Sequence, residues 1–213
     1  MLKDIVIQTL MQVQNDCSSL TQHAYPTVHN RGMDNRHLAS LVERSLTSVA
    51  SRYQTSVTTE TFEVYPSADN ASTPFRRFTT DLGSVWLIPD SLKSANRFHR
   101  HNLIKTVSLW KAEFNFAIQP NDCLVLVCDH WLSRISSSQQ LLDWWLNRFP
   151  DDFSEYAQQG ILLSPSETQK LDKLLAPLQL SPCYKSHAHP IKKDGGNTPI
   201  KRYVHLYAIY ECV

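Results

Sequence analysis

The sequence predicts an α/β fold on a mixed sheet with a buried central strand at 123–128 flanked by helices. Three observations carry that prediction. Cys123-Leu124-Val125-Leu126-Val127-Cys128, preceded by Pro120-Asn121-Asp122 and followed by Asp129-His130-Trp131, is an unbroken apolar run of strand length, as expected of a strand covered on both faces. Ahead of it, Leu92, Ala95, Leu103, Val107, Trp110 and Phe114 recur at helical spacing,. Near the end, Tyr203, His205, Tyr207 and Ile209 alternate with Val204, Leu206 and Ala208 behind the turn residues Asp194-Gly195-Gly196-Asn197, which predicts a C-terminal β-hairpin.

Taken in order, Ile5, Val6, Leu10, Val13, Cys17 and Leu20 predict a helix over 4–20, and the polar stretch from Thr21 to Gly32, with Pro26, predicts a loop,. Asp34 is a fitting N-cap for a second helix whose buried side is Leu38, Leu41, Val42, Leu46, Val49 and Tyr53,. The β-branched alternation from Thr55 to Val64 predicts a strand. A loop from Pro66 to Pro74 then leads to another strand from Phe75, which continues or re-forms through Val85-Trp86-Leu87-Ile88, with Gly83 as a bulge,. Asp90 or Ser91 would cap the third helix. After the buried strand come a helix around Gln139–Phe149 and the apolar Ile161-Leu162-Leu163. Ser164-Pro165-Ser166-Glu167 has the composition of a capping box, predicting a helix to about Ala176,. No interdomain linker interrupts the chain, so 1–213 is expected to form one α/β domain: a core at 34–149, an N-terminal helix and loop at 1–33, and a C-terminal helix and β-hairpin at 150–213.

Composition narrows the function. The 213 residues are 42% hydrophobic, and 21 basic against 20 acidic residues leave a formal net charge of +1. A real core is affordable, and any attraction to a polyanion must be local. The N-terminal Met-Leu-Lys-Asp-Ile-Val reaches an acid at once, so neither a secretory signal nor a membrane contact is expected,. Five scattered cysteines without a Cys-x-x-Cys motif indicate a reducing, cytoplasmic setting,. With only five glycines, and neither G-x-G-x-x-G nor the P-loop pattern, no nucleotide cofactor is expected.

The order helix, two or three strands, helix, buried strand, helix over 34–149 resembles the PD-(D/E)xK nuclease superfamily, the fold of many type II restriction endonucleases. That resemblance implies a restriction-endonuclease-like core and, in an active member, Mg²⁺ held by acids. Glu43 matches the acid of the first helix, and Asp81, in Phe78-Thr79-Thr80-Asp81-Leu82, matches the strand aspartate. Both would be catalytic and metal-binding. The acid-x-lysine element has no counterpart, because Val85-Trp86-Leu87-Ile88 stands there. A single acid does not position metal and nucleophile alone, so cleavage would need a substitute such as Asp90, Lys93 or the reversed Lys111-Ala112-Glu113.

Between Ser91 and Ala112 stand Lys93, Arg97, Arg100, Lys105 and Lys111, two histidines and no acid. Lys93, Arg97, Arg100 and Lys111 fall on one face, and Lys192, Lys193, Lys201 and Arg202 add cations in the tail. Such a set predicts phosphate contacts with nucleic acid. Asp129 and His130 at the strand exit suit acid–base work, and Cys183-x-x-x-His187-x-His189 has two imidazoles on one side of an extended segment,. Trp144 and Trp145, with Leu141, Leu142, Leu146 and Phe149, surround more than one side of a helix. It is either core or the surface for a protein partner or homodimer. The expected function is therefore a nucleic-acid-interacting protein with a nuclease-like core, enzymatic only if metal binds. The alternative is a non-catalytic adaptor, inhibitor or assembly subunit working through 141–149.

Overall fold

A computed structural model describes residues 1–28, 33–64, 73–192 and 198–213. It holds one six-stranded mixed sheet in the order β1-β2-β3-β4-β6-β5: β1 Thr58–Val64, β2 Thr73–Thr80, β3 Gly83–Ser91, β4 Cys123–Trp131, β5 Leu180–Ala188 and β6 Tyr203–Cys212. β1, β2 and β3 form an antiparallel meander, β4 runs parallel to β3, and β6 returns antiparallel between β4 and β5. Among the described residues no helix is long and apolar enough to cross a membrane.

Each face of the sheet has its own core. Helices α1 (Leu2–Val28) and α2 (Asn35–Arg52) pack Ile5, Leu10, Val13, Leu38, Val42 and Val49 onto Val85, Leu87, Val125, Val127, Tyr207 and Ile209. The other face sends Trp86, Ile88, Leu124, Leu126, Leu206 and Tyr210 toward α3 (Arg97–Phe114), α5 (Leu141–Leu146) and α7 (Leu171–Leu175). The run at 123–128 is thus covered on both sides, as its composition predicts, and β4 continues to Trp131. The parallel step from β3 to β4 is bridged by α3, the crossover such a pair needs.

Several boundaries differ from expectation. α1 runs to Val28, through Pro26, where the sequence predicts a loop from Thr21. Asp34 does cap α2, accepting the Arg36 N–H at 2.5 Å. β2 and β3 are separate strands. Between them Thr80 Oγ1 takes the Leu82 N–H at 3.1 Å and donates to Gly83 O at 2.8 Å. Gly83 closes that turn at φ +128° and is not a bulge. Asp90 and Ser91 cap nothing, because they still pair with Cys128 and Asp129. The cap of α3 is Asn96, whose side chain accepts the His99 N–H at 3.0 Å.

The expected helix at 139–149 divides into α4 (Ser136–Gln139) and α5, which stops at Asn147 with φ 64°. Trp144 and Trp145 are fully buried, and Trp145 Nε1–H donates to Tyr207 O at 3.1 Å. The partner or homodimer surface assigned to them is corrected: they are core. Ser164-Pro165-Ser166-Glu167 opens no helix either. The Ser166 N–H donates to the Asp143 carboxylate at 2.6 Å, and Lys170 closes on the same group. A tertiary partner outcompetes the local motif. α6 (Phe153–Gln158) and β5 carry no clear sequence signal. β5 pairs with β6 as the second arm of the expected hairpin, whose turn at 194–197 lies outside the described residues.

Candidate functional site

β3 and β4 finish, β6 starts and α2 begins at one end of the sheet. A buried polar cluster fastens these segments. The Asp129 carboxylate accepts the Met33 N–H at 2.8 Å and the Tyr203 hydroxyl at 2.7 Å. The Tyr203 oxygen lies 3.0 Å from His205 Nε2, and His205 Nδ1 lies 3.2 Å from the Tyr207 hydroxyl. Since Tyr203 gives its proton to Asp129, His205 must donate through Nε2 and accept at Nδ1. Full burial pushes His205 down to about 3. Burial raises the Asp129 carboxyl, against hydrogen bonds from Tyr203, Ser91 and Met33 that lower it. Asp90, one strand over, is pushed up to about 6 by burial, with the Ser91 amide pulling down and Asp129 adding to the rise.

His130 is a strut. Its Nδ1–H donates to Leu92 O at 2.6 Å and its Nε2 faces Ser138 Oγ at 2.9 Å, so burial lowers it and both nitrogens are committed. His189 is held the same way, by Tyr203 O at 2.8 Å and the Tyr156 hydroxyl at 2.6 Å, and burial takes it to about 3. Cys183 donates to Ile209 O at 3.3 Å. His130 and His189 thus have both ring nitrogens engaged, and Cys183 is tied to the backbone. Among the described residues no group of three or more His, Cys, Asp or Glu side chains is placed to hold a metal.

Just beyond this cluster the surface opens into a hollow of about 380 Å³ lined by Leu132, Ser133, Arg134, Gly160, Ile161 and Arg202. Arg134 follows the end of β4, and Arg202 immediately precedes β6. The Leu132 N–H donates to Arg202 O at 2.6 Å, so backbone fixes the spacing of the two arginines. Both are exposed, and among the described residues neither makes an ion pair. Lys93 and Arg97, equally exposed and unpaired, follow β3 at the same end. Arg100 ties α3 to α4 by donating to Ser137 O at 2.5 Å.

The residues predicted for a site are divided by the structure. Glu43 forms an ion pair with Arg76 on β2, the two side chains 34% and 15% exposed. Asp81 is exposed in the β2–β3 turn, five residues beyond Arg76 and about 17 Å along a strand,. The two acids are not brought together. A guanidinium already occupies the place beside Glu43 where a cation would bind, so the pair does not fit Mg²⁺. Arg100 leaves the basic stripe: it is buried, its guanidinium lies 5.1 Å from the Trp144 ring, and burial lowers it to about 10. Lys111 sits fourteen residues beyond Arg97, about 21 Å along α3 and toward the opposite end,. Lys201 is buried, bound to Asp152 and 3.0 Å from Glu155. Lys192 is half-buried and bridges to Pro199, and Lys193 lies outside the described residues. Among the described residues, Lys93, Arg97 and Arg202 make no ion pair. Arg134 is the residue sequence reasoning missed, although its position just past a buried parallel strand marks the usual ligand edge.

No family model matches the chain, and no curated protein matches it. Among solved structures, a crystal structure of humanized D. rerio TDP2 with 14 mutations aligns over 96% of this chain and 93% of that one, at 8% identity and a TM-score of 0.37. A likeness at that score carries no argument about fold or activity. The PD-(D/E)xK superfamily that the order of elements resembles finds no support in these comparisons.

Proposed function

We propose that the chain binds nucleic acid through its phosphates, using the basic end of the sheet. One observation supports this above others: among the described residues Lys93, Arg97, Arg134 and Arg202 are exposed without an ion pair at that end, where the exposed Asp34 caps α2. Asp90 and Asp129 lie within the sheet's edge, Lys201 takes Asp152 and Glu155, and Arg148 takes Asp151. A chain of net charge +1 thereby presents a local positive field,. Binding rather than Mg²⁺-dependent cleavage at Glu43 and Asp81 is the activity this reading assigns, since those acids are apart and one is already neutralised. The rival reading, a protein-partner surface on 141–149, has lost its two tryptophans to the core.

Four phosphate contacts give a slope of log K against log salt of about −3 to −4 on duplex DNA. Titration of the intact chain between about 50 and 200 mM salt should show that slope, and Lys93→Glu with Arg97→Glu should bring it to about −2 with at least tenfold weaker binding. A slope near zero, or one indifferent to the double reversal, would overturn the reading.

A further inference from the structure

We infer that the hollow between the end of β4 and the start of β6 is a site for a phosphate monoester, presented as the phosphorylated end of a nucleic-acid strand. The carrier rests on the nucleic-acid reading above, whereas the phosphate rests on the hollow itself. Arg134 and Arg202 come from segments 68 residues apart, yet the Leu132–Arg202 backbone hydrogen bond sets them on one cavity. Guanidinium forks match phosphate oxygens bidentately. Two of them balance the charge of a monoester, about −2, better than that of an internal diester, about −1.

Among the described residues no acid lines the hollow. The carboxylates of nearby α6, Asp152 and Glu155, are turned onto Lys201, the residue next to Arg202. Among the described residues that arrangement leaves Arg202 without an ion-pair partner. The volume, about 380 Å³, lies in the range of small-ligand sites,, which suits one terminal nucleotide and not the side of a duplex. Leu132 and Ile161 supply a buried apolar floor, and the adjoining Ile135 and Leu162 are 68% and 65% exposed, so a sugar or base has apolar surface to lie against. At the mouth, a Cβ on Gly160 would meet nothing within 4 Å.

The test is equilibrium binding of the intact chain to one single-stranded oligonucleotide carrying a 5′-phosphate, a 3′-phosphate or hydroxyl ends only, with AMP as a free competitor. One phosphorylated end should bind at least tenfold tighter than the hydroxyl-ended strand. Arg134→Ala and Arg202→Ala should each erase most of that preference and weaken hydroxyl-ended binding only as far as the loss of one phosphate contact does, whereas Lys93→Ala should weaken every strand alike and keep the preference. Ser133→Trp keeps both arginines but fills the hollow, and should erase the preference as well. Equal affinity for phosphorylated and hydroxyl ends, or a preference surviving both alanine variants, overturns the inference. If oligonucleotides fail to bind while AMP binds and is lost in Arg134→Ala, the monoester site stands and its source is a free nucleotide, which overturns the nucleic-acid reading instead. Salt-dependent binding of every strand alike, lost only on reversing Lys93 and Arg97, overturns the site and keeps that reading.

Discussion

Buried His130, His189 and His205 each face hydrogen-bonding partners at both ring nitrogens, so the fold is built around neutral imidazoles. The consequence is a defined acid sensitivity. In the unfolded chain a histidine takes its proton near pH 6.5, whereas folded His189 and His205 resist to about 3. Between those values the unfolded state holds more protons, and stability falls with falling pH by about 1.4 kcal/mol per unit for each such histidine. Asp90 opposes this. Its folded value of about 6 lies above that of a free aspartate, so between about pH 6 and 4 the folded state holds the extra proton and gains stability as pH drops,. Asp90→Asn should therefore leave stability at pH 7.5 equal or higher, and should make the decline from pH 6 to 4 steeper in urea unfolding. Parallel pH profiles for the two proteins would sink the idea. Arg100 illustrates the same scale from the other side, since a cation that helical spacing puts on a surface stripe is here desolvated against Trp144.

The elements show where local pattern suffices. Gly83→Ala in the β2–β3 turn should cost about 1–3 kcal/mol, because φ +128° is strained for any L side chain and the new Cβ would sit 3.2 Å from Leu2,. Trp144→Ala should cost about 3–5 kcal/mol, as a core truncation does. It should leave sedimentation behaviour at high protein concentration unchanged if α5 is core and not an association surface. Regular periodicity over ten or more residues made α2 and α3 legible, an unbroken apolar run marked β4, and the alternation at 203–209 revealed β6. Short elements were not legible, because their boundaries are set by partners remote in sequence: Asp143 captures Ser166, and pairing with β4 holds Asp90 and Ser91 in β3. β5, an edge strand with a register shift between Pro182 and Tyr184, has a blurred alternation for the same reason. Of the candidate site, exposed cations flanking α3 and β6 were readable. Which cations stay free was not, since Lys201 and Arg202 are adjacent in sequence and opposite in fate.

At the scale of the whole molecule, the sheet gives the protein a polarity that composition hides. The ends of β3 and β4 gather free cations, while the opposite end carries the exposed Asp81 turn and the buried Asp122, which accepts the Ser84 N–H at 2.8 Å. A chain ending at Arg202 should lose cooperative unfolding and aggregate in size-exclusion chromatography, because it leaves one edge of β4 bare and β5 without a neighbour,. Survival of a compact, cooperatively melting fragment would contradict that expectation. The same insertion of β6 between β4 and β5 has a temporal side. During synthesis the meander, its crossover and the edge strand all leave the ribosome before the strand that joins them. The nascent chain must therefore wait with its central apolar strand half covered, and completion of the sheet becomes a late, single event, in which arrival of residues 203–212 turns two unfinished pieces into one molecule.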